Sequence, residues 1–71
     1  MAKKSETLAA RIKRLREAAD LSQAELARQV GVLSSGAVRA WEMGTNPTAK
    51  RIIPLAAALH VKPTYLLDAD Q

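Results

Sequence analysis

Apolar positions recur at helical intervals along the whole chain, and none alternates with a period of two. From Ser5 onward, Leu8, Ile12, Leu15 and Ala19 fall at i, i+4, i+7 and i+11 and predict one helix with a single apolar face. Ser22-Gln23-Ala24-Glu25 spells a capping box, in which the serine caps a backbone N–H and the glutamate reaches back. Leu26, Ala27 and Val30 follow, and Gly31 can adopt the left-handed conformation that ends a helix, so a second helix is predicted over about 22–30. Ser34 is a candidate N-cap for a third helix over about 34–43, with Val38 and Trp41 as its inward stripe.

Gly44-Thr45-Asn46-Pro47-Thr48 reads as a loop. Ile52, Ile53, Leu55, Ala56 and Leu59 predict a fourth helix. Pro54 suits only a first turn, which favours a start near Lys50–Ile53 over one at Ala49. Lys62-Pro63 opens a short fifth helix, with Tyr65, Leu66 and Leu67 expected inward. The expectation is an all-α, compact five-helix fold in one domain spanning 1–71, with its core over about 6–67.

Composition narrows the functional classes. With 71 residues the core is small, and 48% apolar content is enough to form one. The absence of cysteine excludes disulfides and thiolate metal sites. A formal charge of +4 points to an acidic partner. That charge is unevenly placed: residues 1–53 carry ten basic and five acidic groups, a net of +5, whereas Lys62, Asp68 and Asp70 leave 54–71 at −1. No apolar run approaches membrane-spanning length, and Met1-Ala2-Lys3-Lys4-Ser5 is not followed by the apolar stretch of a secretory signal. A cytoplasmic location is therefore expected, with no room for a sensor domain. Ser34, Ser35 and Thr48 lack a nucleophile elbow or a credible base, so no enzyme activity is expected; His60 lacks the companions of a metal site. No cofactor, metal or small-molecule ligand is implied.

Leu21-Ser22-Gln23-Ala24-Glu25-Leu26-Ala27, then Gly31-Val32, Val38 and Trp41-Glu42, resembles the helix-turn-helix signature of the lambda-repressor-like family of phage repressors, Cro-type proteins and related bacterial regulators. Leu55-Ala56-Ala57-Ala58-Leu59-His60-Val61, followed by Tyr65-Leu66-Leu67, resembles that family's fourth and fifth helices, so the likeness spans about residues 8–67. Relative to the usual pattern, one residue around Leu33 is inserted before the tryptophan. The loop after Trp41 is one residue shorter, and His60 stands where a glycine often ends the fourth helix.

The resemblance implies a sequence-specific, double-stranded-DNA-binding transcriptional regulator of phage or prophage repressor type. It would bind a two-fold operator as a weak homodimer favoured on DNA, with recognition helices about 34 Å apart in successive major grooves. RNA polymerase is a further candidate partner. The third helix offers Ser34, Ser35, Gly36, Arg39 and Ala40 for base readout. Only Arg39 is a long donor among them, so DNA shape is expected to contribute. Candidate phosphate contacts are Arg11, Arg14, Arg16, Ser22, Gln23, Thr45, Asn46, Lys50 and Arg51. The resemblance further implies an ion pair between Arg16 and Glu42, and Val61, Lys62, Pro63 and Tyr65 are candidates for the dimer interface.

Each assignment has a plainer counterpart: a solvated helix face for the arginine cluster, an ordinary first-turn residue for Gln23, and two unrelated charges for Arg16 and Glu42. Two rival functions are an antitoxin-type protein-interaction module of the same fold, and membrane-surface binding through the basic first helix. The second lacks the bulky aromatic anchors such helices favour.

Overall fold

The computed structural model of the chain describes residues 6–69. Five helices follow in order: α1 (Leu8–Ala18), α2 (Gln23–Val30), α3 (Ser35–Glu42), α4 (Ala49–Ala58) and α5 (Pro63–Leu67), with no strand element among the described residues. The fold is all-α.

Capping side chains set three of the starts. Thr7 accepts the Ala10 N–H at 3.1 Å, so α1 starts at Leu8 rather than near Ser5, which lies outside the described residues. Ser22 accepts the Glu25 N–H at 3.0 Å while the Glu25 carboxylate accepts the Ser22 N–H at 2.8 Å, completing the capping box. Ser34 accepts the Gly36 N–H at 3.3 Å.

The ends of α1, α3 and α4 share one device. Asp20 (φ 61°), Gly44 (φ 116°) and His60 (φ 60°) turn the chain through the left-handed region just past each helix. The next residue then bonds back into it: Leu21 N–H to Arg16 C=O at 3.1 Å, Thr45 N–H to Ala40 C=O at 2.9 Å, and Val61 N–H to Ala56 C=O at 3.0 Å. Gly31 (φ 91°) does the same after α2, with Val32 N–H reaching Ala27 C=O at 3.0 Å. Aspartate and histidine are among the few non-glycine residues that enter this region readily.

Ile12, Leu26, Val38, Leu55 and Leu66 form the fully buried centre, surrounded by Leu8, Ala27, Val30, Trp41, Ala56 and Leu59. α2 packs on α3 and α4, α1 packs on α3 and α5, and α4 packs on α5. The outer faces of α3 and α5 are left uncovered.

Two expectations need correction. α4 begins at Ala49, with Pro54 inside it. The proline removes one hydrogen bond, but Ile52, Leu55, Ala56 and Leu59 are all buried on that helix, and their burial outweighs the loss. In α5, only Leu66 points fully inward, followed by Ala69; Leu67 and Tyr65 are exposed. A helix of five residues has one inward line, at i and i+3, so three adjacent side chains cannot all share it.

Candidate nucleic-acid interface

α3 presents a face built for close approach. Val38 is fully buried and Trp41 is 6% exposed, which anchors α3 against α1 and α2. On the opposite side Ser35, Gly36 and Arg39 are exposed and Ala40 is half-buried. None of Ser35, Gly36 or Ala40 has a side chain longer than two heavy atoms. Gly36 has a local reason: a Cβ there would lie 3.3 Å from the Ser34 hydroxyl that caps the helix. Arg39 extends from this face with no partner among the described residues, and Lys50 and Arg51 at the start of α4 are likewise unpaired.

Behind this face a polar network ties three helices together. Arg16 donates to both Glu42 oxygens, Nε to Oε2 at 2.6 Å and Nη2 to Oε1 at 3.2 Å, and donates Nη1 to the Leu21 carbonyl at 2.8 Å. Gln23 donates Nε2 to Glu42 Oε1 at 3.2 Å. Paired on two sides by Glu42, the Arg16 guanidinium has its pKa pushed up from its already high value. The network links the end of α1, the start of α2 and the end of α3, and so fixes the angle at which α3 is presented. One N–H of the Gln23 amide remains for an outside acceptor.

The sequence-derived candidates for DNA contact divide into four groups besides Arg16. Ser35, Gly36, Ala40, Arg39, Gln23, Lys50 and Arg51 lie on the exposed side of α3 or at the starts of α2 and α4. Thr45 and Asn46 are exposed in the loop between α3 and α4. Ser22 and Ser34 spend their hydroxyls on caps. Arg11 and Arg14 face elsewhere: both bind Glu6 and Tyr65 at the seam between α1 and α5. In the sequence both read as unpaired cations, because Glu6 lies outside the i, i+4 neighbourhood of Arg14 and Tyr65 is more than fifty residues away. Of the interface candidates at the other end, Lys62 and Tyr65 are exposed, whereas Val61 and Pro63 are half-buried.

Leu33, Met43 and Ile53 are exposed apolar side chains that apolar spacing does not mark as such. Leu33 is fully exposed at the leading edge of α3. Its signal was available, since it occupies the inserted position, between the helix-ending Gly31 and the Ser34 cap, where no helix carries it inward.

Glu6 provides a pH test of the second cluster. Hydrogen bonds from Arg14 and then Arg11 lower its pKa from 4.5 to about 2. A lowered carboxylate pKa contributes stability that is complete above the unfolded value near 4.5 and disappears as the pH falls toward about 2. Thermal melts between pH 6 and 2 should therefore show a shallower acid limb for Glu6→Gln than for the parent. Parallel limbs would show that the cluster does not form in solution.

A short helix fixed by a tight turn against a second helix, whose small-residue face stands free, defines a helix-turn-helix domain. The helix-turn-helix family matches residues 12–66, and the chain belongs to this family, in its lambda-repressor-like class of DNA-binding regulators. Among solved structures, the P22 c2 repressor in complex with the synthetic operator 9T is similar at a TM-score of 0.85 and 34% identity, over 93% of this chain and 100% of that one. SinR, the master regulator for biofilm formation, solved in complex with DNA, is similar at a TM-score of 0.78 and 31% identity, over 87% of this chain and 100% of that one. The restriction-modification controller protein C.AhdI from Aeromonas hydrophila reaches 0.77 and 35%, over 83% of this chain and 89% of that one. No curated protein sequence matches the chain.

Proposed function

We propose that this chain is a sequence-specific transcriptional repressor of phage type that binds a two-fold operator as a homodimer, with α3 in the major groove. The observation that carries the reading is the face of α3. It is smooth, exposed and held by Val38, Trp41 and the Arg16–Glu42 network, and Arg39 is its one long donor. Small side chains let the helix seat deeply, and an arginine there can bond guanine O6 and N7 together. Leu33 at the leading edge adds an apolar group suited to a thymine methyl. The P22 c2 repressor, similar along its whole length, was solved on an operator, which supports DNA as the ligand.

Phosphate contacts fall to the unpaired Lys50 and Arg51, to Gln23, and to Thr45 and Asn46. Arg16 spends three of its five N–H donors on internal bonds, which leaves two for a phosphate beside the network. By occupying DNA over a promoter, the dimer would exclude or recruit polymerase.

Selection of duplexes from a random pool, followed by a footprint, tests the proposal: a palindromic site with half-sites one helical turn apart is expected. On that site, affinity should fall steeply with salt. About six to eight neutralised phosphates per dimer give a slope of log K against log salt near −5 to −7. A flat salt dependence would remove DNA as the main partner. Arg39→Ala should cost about 1–3 kcal/mol on the selected site and flatten preference at one position per half-site. If its selected profile matched the parent's, Arg39 would be a phosphate contact rather than a base reader.

A further inference from the structure

Four side chains at the seam between α1 and α5 act as one unit. Glu6 accepts from Arg11 Nε at 2.8 Å, from Arg14 Nε at 2.7 Å and from Arg14 Nη2 at 2.9 Å. The same two arginines grip Tyr65 in three ways: Arg14 Nη2 donates to its hydroxyl at 2.8 Å, Arg11 Nη1 donates to its backbone carbonyl at 2.7 Å, and the Arg11 guanidinium lies 4.3 Å from its ring centroid. Two guanidiniums thus converge on one residue of a five-residue helix. Leu66 and Ala69 alone give α5 little to define the direction of its outer side chains.

The cluster stands away from the DNA-facing network. At about 100° per residue, Arg11 and Arg14 lie roughly 140° and 160° around α1 from Arg16. Tyr65 instead borders an open groove of about 650 Å³, together with His60, Val61, Lys62, Thr64 and Asp68. The groove carries a cation, Lys62, and a carboxylate, Asp68. A surface holding both signs can meet a two-fold copy of itself with unlike charges opposed, as an isologous interface requires.

We propose that Glu6, acting through Arg11 and Arg14, is a positioning residue for self-association: it holds Tyr65 as a rigid anchor for a second copy of this chain docked on the α5 groove. The inference rests on the homodimer reading above and adds the device that orients its interface. Fixing an aromatic anchor before contact lowers the ordering cost of association.

The test compares the full chain with Glu6→Gln and Tyr65→Phe. Sedimentation gives the dimer dissociation constant of the free protein. Binding is measured on the selected two-fold duplex and on the same duplex with one half scrambled. For Glu6→Gln the dimer constant should weaken about tenfold, and the advantage of the full site over the half-site should shrink by a similar factor. Its half-site affinity should stay within about twofold of the parent. Tyr65→Phe keeps the ring and loses only the hydroxyl, so it should shift both measures the same way by a smaller factor, about threefold.

Three results would overturn the proposal: unchanged dimer constants in both variants, full-site and half-site affinities falling together, or a rise in half-site affinity, which would mark Glu6 as a competitor for phosphate-binding arginines. If the parent chain itself neither self-associates nor prefers the full site, the homodimer reading falls and this inference falls with it.

Discussion

Trp41→Ala is expected to remove most of the stability of this domain at ordinary temperature. The indole is 6% exposed, lies on the inward stripe of α3 with fully buried Val38, and belongs to the same apolar cluster as Leu8, Ile12 and Leu26. Removing a buried large aromatic costs about 3–5 kcal/mol. A chain of this size has a total stability of only about 4–10 kcal/mol at typical per-residue values. Circular dichroism melts of the variant should show a broad, early loss of helix, and DNA binding should vanish along with the fold. A variant that melts normally yet fails to bind DNA would place the tryptophan outside the core and displace the register of α3.

The second large effect belongs to Glu42. Its side chain is 5% exposed and that of Arg16 is 12% exposed, so the pair is largely removed from water. Glu42→Ala leaves the guanidinium with only the Leu21 carbonyl and a long contact to Glu17 at 3.9 Å, and it also strips Gln23 of its acceptor. Breaking a buried pair by removing one partner costs about 3–5 kcal/mol, most of it the penalty of a stranded charge. Denaturant titration should therefore show a loss of about 3 kcal/mol.

The double variant Arg16→Met with Glu42→Leu should recover much of that stability, because neither charge remains to be desolvated. It should still bind DNA more weakly than the parent, because the network no longer fixes α3 and the start of α2. A double variant no more stable than Glu42→Ala would show that the pair was not the source of the loss. Full DNA affinity in the double variant would show that the network does not set the presentation of α3.

Much of the site was legible before folding because its determinants are local. The capping box at Ser22 and Glu25, the left-handed turn at Gly31 and the inward spacing of Val38 and Trp41 each involve residues within four positions of one another. Hydrogen-bond chemistry and helical periodicity act at that range, so α2, α3 and the turn between them can be derived from the residues alone. The exposed face of α3 then follows as the remainder. The pairing of Arg16 with Glu42, twenty-six positions apart, came only through resemblance to a family and not from spacing.

What stayed hidden depends on which surfaces meet. Arg11 and Arg14 look like free cations in the sequence, and only the packing of α5 on α1 delivers Glu6 and Tyr65 to them. Pro54 looks like the start of a helix, yet core burial by Ile52, Leu55, Ala56 and Leu59 carries α4 through it from Ala49. Leu67 looks like a core residue, and the single inward line of a short helix leaves it in water.

The sequence by itself thus determined the five helices, the apolar stripes and the helix-turn-helix, because backbone capping and side-chain periodicity operate within one or two turns. The tertiary structure alone decided which arginines keep all their donors for an anionic partner and which spend donors on groups within the chain. That choice depends on carboxylates and carbonyls brought within hydrogen-bonding distance from remote parts of the chain, where an ion pair forms only if packing has already placed its partners.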